Sequence, residues 1–86
     1  MTTIIATHEV DDVAHWLTST KREEVFGPLG ISVRTFVDPQ GSNRVGLVGD
    51  VPDMDALQEL LQSELGAAAM QHDGVRPETV VILVAS

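Results

Sequence analysis

His8, Asp11 and Asp12 bring an imidazole and two carboxylates within five residues of sequence, a spacing that suits proton transfer. A histidine beside a carboxylate works as general base or acid near neutral pH, because the carboxylate fixes the tautomer and stabilises the imidazolium. His8 with Asp12 is therefore the candidate catalytic pair. Asp11 and Asp12 also stand where a helix start favours carboxylates, so capping explains them without any chemistry. His72 lies in the last turn of a later helix, where an imidazolium is favoured by the helix dipole and by the protein's negative field. No H-x-x-x-H or H-E-x-x-H spacing is present, so no metal and no cofactor are expected.

The chain has 86 residues, enough for one domain at positions 1–86 and too few for a two-domain enzyme. Thirteen acidic against five basic residues give a formal charge of -8, which repels phosphate backbones and anionic lipid surfaces. Neither nucleic acid nor membrane is expected as a partner. There is no cysteine, so disulfides, thiolate metal sites and cysteine nucleophiles are excluded. The opening MTTIIATHEV lacks the basic start and long apolar stretch of a signal peptide, and a cytoplasmic location is expected. Gly41 to Gly49 matches neither a dinucleotide fingerprint nor a P-loop and leads into a strand.

These side chains need elements to position them. Thr2 to His8 is β-branched and apolar and reads as a strand. A helix then runs from Asp12 to about Phe26, with Val13, Trp16 and Leu17 at helical spacing and Gly27-Pro28-Leu29-Gly30 as its stop. Lys21-Arg22-Glu23-Glu24 reads as solvated charge on its outer face. Ile31 to Val37 alternates as a strand, and Asp38-Pro39 to Asn43 turns the chain into a further strand, Arg44 to Val51. Asp53 caps a second helix with Leu57, Leu60, Leu61, Leu65 and Ala68 on one face, kinked at Ser63 and Gly66. Thr79 to Val84 is the last strand, apolar on both faces.

The order βαββαβ predicts an α+β, ferredoxin-like sandwich of four antiparallel strands with both helices on one face. Ile4-Ile5, Leu47-Val48 and Val80 to Val84 are apolar at consecutive positions, yet the helices cover only one side. The other side predicts a homodimer through the sheet face. Ile4, Val33, Leu47, Val81 and Leu83 are the sheet residues expected to be buried by folding or pairing.

His8-x-Val10-x-Asp12-x-x-x-Trp16 resembles the start of the dimeric α+β barrel superfamily. Gly30-Ile31-Ser32-Val33-Arg34, the Asp38-Pro39 to Asn43-Arg44 hairpin, Asp53-Met54-Asp55-Ala56-Leu57 and Gly74-Val75 before Pro77-Glu78 resemble its antibiotic-biosynthesis-monooxygenase-like and cyclase-like branch. The resemblance implies two sheets paired into an eight-stranded barrel. It also implies an apolar, aromatic or polyketide-like ligand between helices and sheet, with cyclase-like or monooxygenase-like activity. Trp16, Leu17, Arg34, Phe36, Leu57, Leu61 and His72 are then the candidate pocket residues, although core packing is the ordinary role of a buried tryptophan. Haem-degrading members use an asparagine in the first strand and a tryptophan in the second helix, both lacking here. The cofactor-free monooxygenases use a tyrosine, and this chain has none. Cyclase-like members abstract a proton beside a carbonyl with histidines, a role open to His8 with Asp12. The alternative is a non-catalytic dimerisation or ligand-carrier module.

Overall fold

The computed structural model describes residues 2–86. Strand β1 (Thr2–Glu9) pairs antiparallel along its whole length with β3 (Arg44–Val51), from Thr2 opposite Val51 to Glu9 opposite Arg44. β2 (Ser32–Val37) flanks β3 and β4 (Val81–Val84) flanks β1, giving the order β2-β3-β1-β4 with every pair antiparallel. The β2–β3 reversal is held by Asp38, whose carboxylate accepts the Gln40 N–H and whose carbonyl accepts the Gly41 N–H. β4 starts two residues later than the apolar run suggests, because Pro77–Thr79 forms a 3-10 turn. Thr79 Oγ1 there accepts the Glu9 N–H at 2.9 Å.

The sheet is open, and the expected barrel is corrected accordingly. β2 and β4 are its two opposite edges and pair with no further strand among the described residues. The resemblance implied an eight-stranded barrel from two paired sheets; the structure has one sheet of four strands whose edges stay apart. The architecture is therefore an open four-stranded antiparallel sheet with its helices on one face.

Both expected helices are divided by a serine. The first becomes α1 (Val13–Thr18) and α2 (Lys21–Phe26); the second becomes α3 (Met54–Gln62) and α4 (Glu64–His72). Ser19 and Ser63 take extended backbone, with ψ of 136° and 163°. Ser63 Oγ donates to the Leu60 carbonyl at 2.6 Å and accepts the Gly66 N–H at 3.1 Å. Ser19 Oγ accepts the Lys21 N–H at 3.1 Å and donates to the Asp73 carboxylate. A serine hydroxyl offers backbone groups a local partner that competes with the helix, and here it wins twice. Beyond α4, Gly74 has φ of +72° and lets the Val75 N–H reach back to the Met70 carbonyl at 2.9 Å, closing the helix.

The strand period sorts the sheet residues. Ile4, Ala6 and His8 of β1 and Val45, Leu47 and Val51 of β3 lie under the helices and are buried. They pack with Val10, Trp16 and Leu57 into two adjoining clusters. On the opposite face the register lines Arg34, Val48, Ile5 and Leu83 into one row across all four strands. Val33 is half-buried, whereas Val81 and Leu83 remain 51% and 60% exposed, so folding alone does not bury them. Among the described residues, no helix is long and apolar enough to cross a membrane.

Candidate functional site

Between helices and sheet lies an apolar cleft of about 100 Å³. Ala6 and Leu47 form its sheet wall, while Trp16 of α1 and Leu57 and Leu61 of α3 stand on the helix side. Only three lining residues can be ionised: His8, Arg22 and Asp73.

His8 reaches the cleft because it occupies an inward position of β1, two residues beyond Ala6. It is 5% exposed and meets Trp16 edge to face, with ring centroids 5.5 Å apart and planes at 75°. Its Nε2 is buried and has no hydrogen-bond partner among the described residues. A buried polar atom left unpaired costs on the order of 1–3 kcal/mol, so this atom is not explained by stability. Burial lowers the imidazole pKa from its ordinary value, and the nearby Arg22 charge lowers it further. His8 is therefore neutral at pH 7, with one ring nitrogen free to accept a hydrogen bond or a proton.

The lowered pKa has a consequence for stability. The unfolded chain binds this proton more readily than the folded one, so the contribution is complete above the unfolded value of about 6.5 and is lost as pH falls below it. Denaturant midpoints at pH 7.5 and pH 5 should show a larger acid loss in the wild type than in His8→Gln. Equal losses would contradict a neutral buried His8.

Arg22 comes from the first turn of α2, and the break at Ser19 is what turns it inward. Its guanidinium carbon sits 4.7 Å from the centroid of the Trp16 ring, and Nη1 donates to the Trp16 carbonyl at 3.4 Å. Burial pulls its pKa down, while the charges of Asp73 and Glu23 raise it, and a guanidinium stays charged at neutral pH. Asp73 is 5% exposed at the end of α4; its Oδ1 accepts from Ser19 Oγ and lies 3.0 Å from His72 Nδ1. The cleft thus holds a neutral imidazole and a cation stacked on the sole tryptophan.

The sequence candidates separate. Trp16, Leu57, Leu61 and His8 line one cleft. Asp12 does not join them: its Oδ1 caps α1 by accepting the His15 N–H at 3.1 Å, and no hydrogen bond or ion pair links it to His8 among the described residues. Leu17, one residue on from Trp16 along α1, is 44% exposed and outside the cleft. Arg34 and Phe36 lie on the outer face with Arg34 Cζ 5.6 Å from the Phe36 ring, because Val33 takes the inward position opposite Gly49. His72 sits outside the cleft in the last turn of α4, its ring 5.4 Å from that of His15. Arg22, expected as solvated charge on the outer face, is corrected to a lining residue of the cleft, stacked on Trp16. Ser19, whose hydroxyl accepts the Lys21 N–H, is the sequence signal that could have marked the helix break and redirected this side chain.

No protein-family model and no curated protein matches the sequence. Solved structures do resemble the fold. A structure described as an antibiotic biosynthesis monooxygenase superposes with a TM-score of 0.63 at 15% identity, covering 100% of this chain and 97% of that one. A putative antibiotic biosynthesis monooxygenase from Deinococcus radiodurans superposes at 0.60 with 13% identity, covering 100% and 91%. At these identities the likeness is one of fold alone, a ferredoxin-like chain.

Proposed function

We propose that this protein binds a small apolar compound carrying an acidic hydroxyl or an enolisable carbonyl in the cleft between helices and sheet, and that His8 accepts its proton. The observation that supports this most is the unpartnered, buried Nε2 of His8 in a cleft that is otherwise almost wholly apolar. In the step envisaged, the ligand's O–H or α-C–H bond breaks, the proton passes to the neutral imidazole, and the electron pair stays on the ligand as phenolate or enolate. The guanidinium of Arg22 on Trp16 supplies the neighbouring positive charge. Asp12 has no part in this step. Size bounds the ligand from above: an apolar cavity of about 150 Å³ holds one benzene ring, so a cleft of about 100 Å³ admits at most a single ring and no polycyclic polyketide. The fold likeness to monooxygenase structures is compatible with this chemistry.

The test uses 4-nitrophenol, whose absorbance distinguishes phenol from phenolate, with Trp16 fluorescence reporting occupancy. In the wild type the bound phenol should ionise at lower pH than the free compound. His8→Gln should keep the fluorescence change and lose the shift in ionisation. An unchanged shift in His8→Gln would refute the proton-accepting role, and binding without any shift would favour a non-catalytic carrier.

The outer sheet face supports a second reading, homodimerisation through that face. Ile5, Phe36, Val81 and Leu83 are each at least 46% exposed there and form one apolar surface across the strands. A second copy offers the same row in return, so a two-fold arrangement needs no additional surface.

A further inference from the structure

The end of α4 and the middle of α1 place His72, Asp73 and His15 together at the margin of the cleft, which Asp73 also lines and the two histidines do not. We propose that these three side chains form a binding site for a divalent cation of the zinc class. One ligand atom from each lies within 4.8 Å of those from the other two. His72 Nδ1 and Asp73 Oδ1 are already 3.0 Å apart, close to the spacing of about 3.3 Å between neighbouring ligands of a tetrahedral ion with bonds of about 2.0–2.1 Å. The cation would take the place of the proton now shared between them. His15 supplies the third protein ligand, and both histidines are exposed.

The surroundings are also suited to a metal. His15 Nε2 donates to the His72 carbonyl at 2.8 Å, which orients the ring and leaves Nδ1 as the nitrogen open to an ion. Asp73 is buried and anchored by the Ser19 hydroxyl, so one ligand is rigid before any ion arrives. Two imidazoles and one carboxylate favour zinc over calcium or magnesium, which prefer all-oxygen sites. The net charge of -8 attracts cations, whereas Arg22, whose charge already interacts with Asp73, opposes a second positive charge beside it. The ion would tie α1 to α4 and so brace Trp16 and Asp73, two walls of the cleft. The ligands come from positions 57 residues apart in sequence, and for that reason no short histidine motif announces the site.

Isothermal titration of metal-free protein with zinc chloride tests this directly, with His15→Gln, His72→Gln and the double variant alongside. The wild type should bind one Zn²⁺ per chain and rise in thermal midpoint. Each single variant should bind roughly tenfold or more weakly, in line with the loss of one ligand, and the double variant should not bind. Magnesium should produce no heat. Because both histidines are on the surface, the metal-free thermal midpoints should match, which separates lost ligation from lost folding. Failure of the wild type to bind zinc at millimolar concentration, or equal binding by the double variant, would overturn the assignment.

Discussion

Gly66→Ala is expected to destabilise the protein by about 3 kcal/mol, although alanine is the better helix former by about 1 kcal/mol at an ordinary position. The reason is a close approach at the junction of α3 and α4. A Cβ on residue 66 would lie 2.0 Å from the Leu60 carbonyl oxygen, with the Leu60 carbonyl carbon at 3.0 Å. Both are backbone atoms, so no rotamer change relieves the clash. The two helices must separate, and with them the packing of Leu60 against Ala69 and Val25. A chain this small has roughly 5–15 kcal/mol of stability to lose. The urea midpoint should fall sharply with the slope unchanged. A loss below about 1 kcal/mol, or a gain, would mean that α3 and α4 do not meet as described.

Leu83→Asp has the second large expected effect, on assembly rather than on folding. Leu83 is 60% exposed and ends the row formed with Ile5, Val48 and Arg34, so the isolated chain tolerates a polar residue there. If two copies meet through this face, the substitution buries an unpaired charge from each copy in the interface. Association should then be weakened by about 3 kcal/mol or more, over a hundredfold in the dimer constant. Sedimentation equilibrium should give two copies for the wild type and one for Leu83→Asp, with unfolding midpoints of the monomeric species little changed. A wild-type monomer, or a Leu83→Asp dimer as tight as the wild type, would remove the sheet face as an interface.

Much of the architecture was legible because it is written in local periodicity. Arg44 to Val51 alternates, Asp38-Pro39 to Gly41 turns, and Asp53 caps, and each feature determines a structure within a few residues. The helix breaks were harder. Ser63 was readable as a disturbance, but Ser19 falls within a continuous amphipathic pattern, and only its hydrogen bonds to Lys21 and Asp73 turn it into an end. The closed barrel failed for a different reason: closure depends on what the strand edges meet, and β2 and β4 stand at opposite sides of an open sheet.

The candidate site was legible in part. His8, Trp16, Leu57 and Leu61 follow from strand and helix periods and do converge. The pairing of His8 with Asp12 does not follow from proximity in sequence, because the carboxylate serves the first turn of α1. Arg34 and Phe36 were lost to the two-residue alternation of β2, which sends them to the outer face. Arg22 entered through the break at Ser19, and His15 met His72 through tertiary packing of helices far apart in sequence.

Where a ligand sits is the most direct question for the proposed function. Isotope-filtered nuclear Overhauser spectroscopy of the labelled protein with unlabelled phenol locates it without assuming any activity. Contacts from the ring protons to Trp16, Leu57 and Leu61, with a perturbed His8 imidazole, are the predicted result. Contacts confined to Phe36, Val81 and Leu83 on the outer face, or no contacts at saturating phenol, would contradict a binding cleft between helices and sheet.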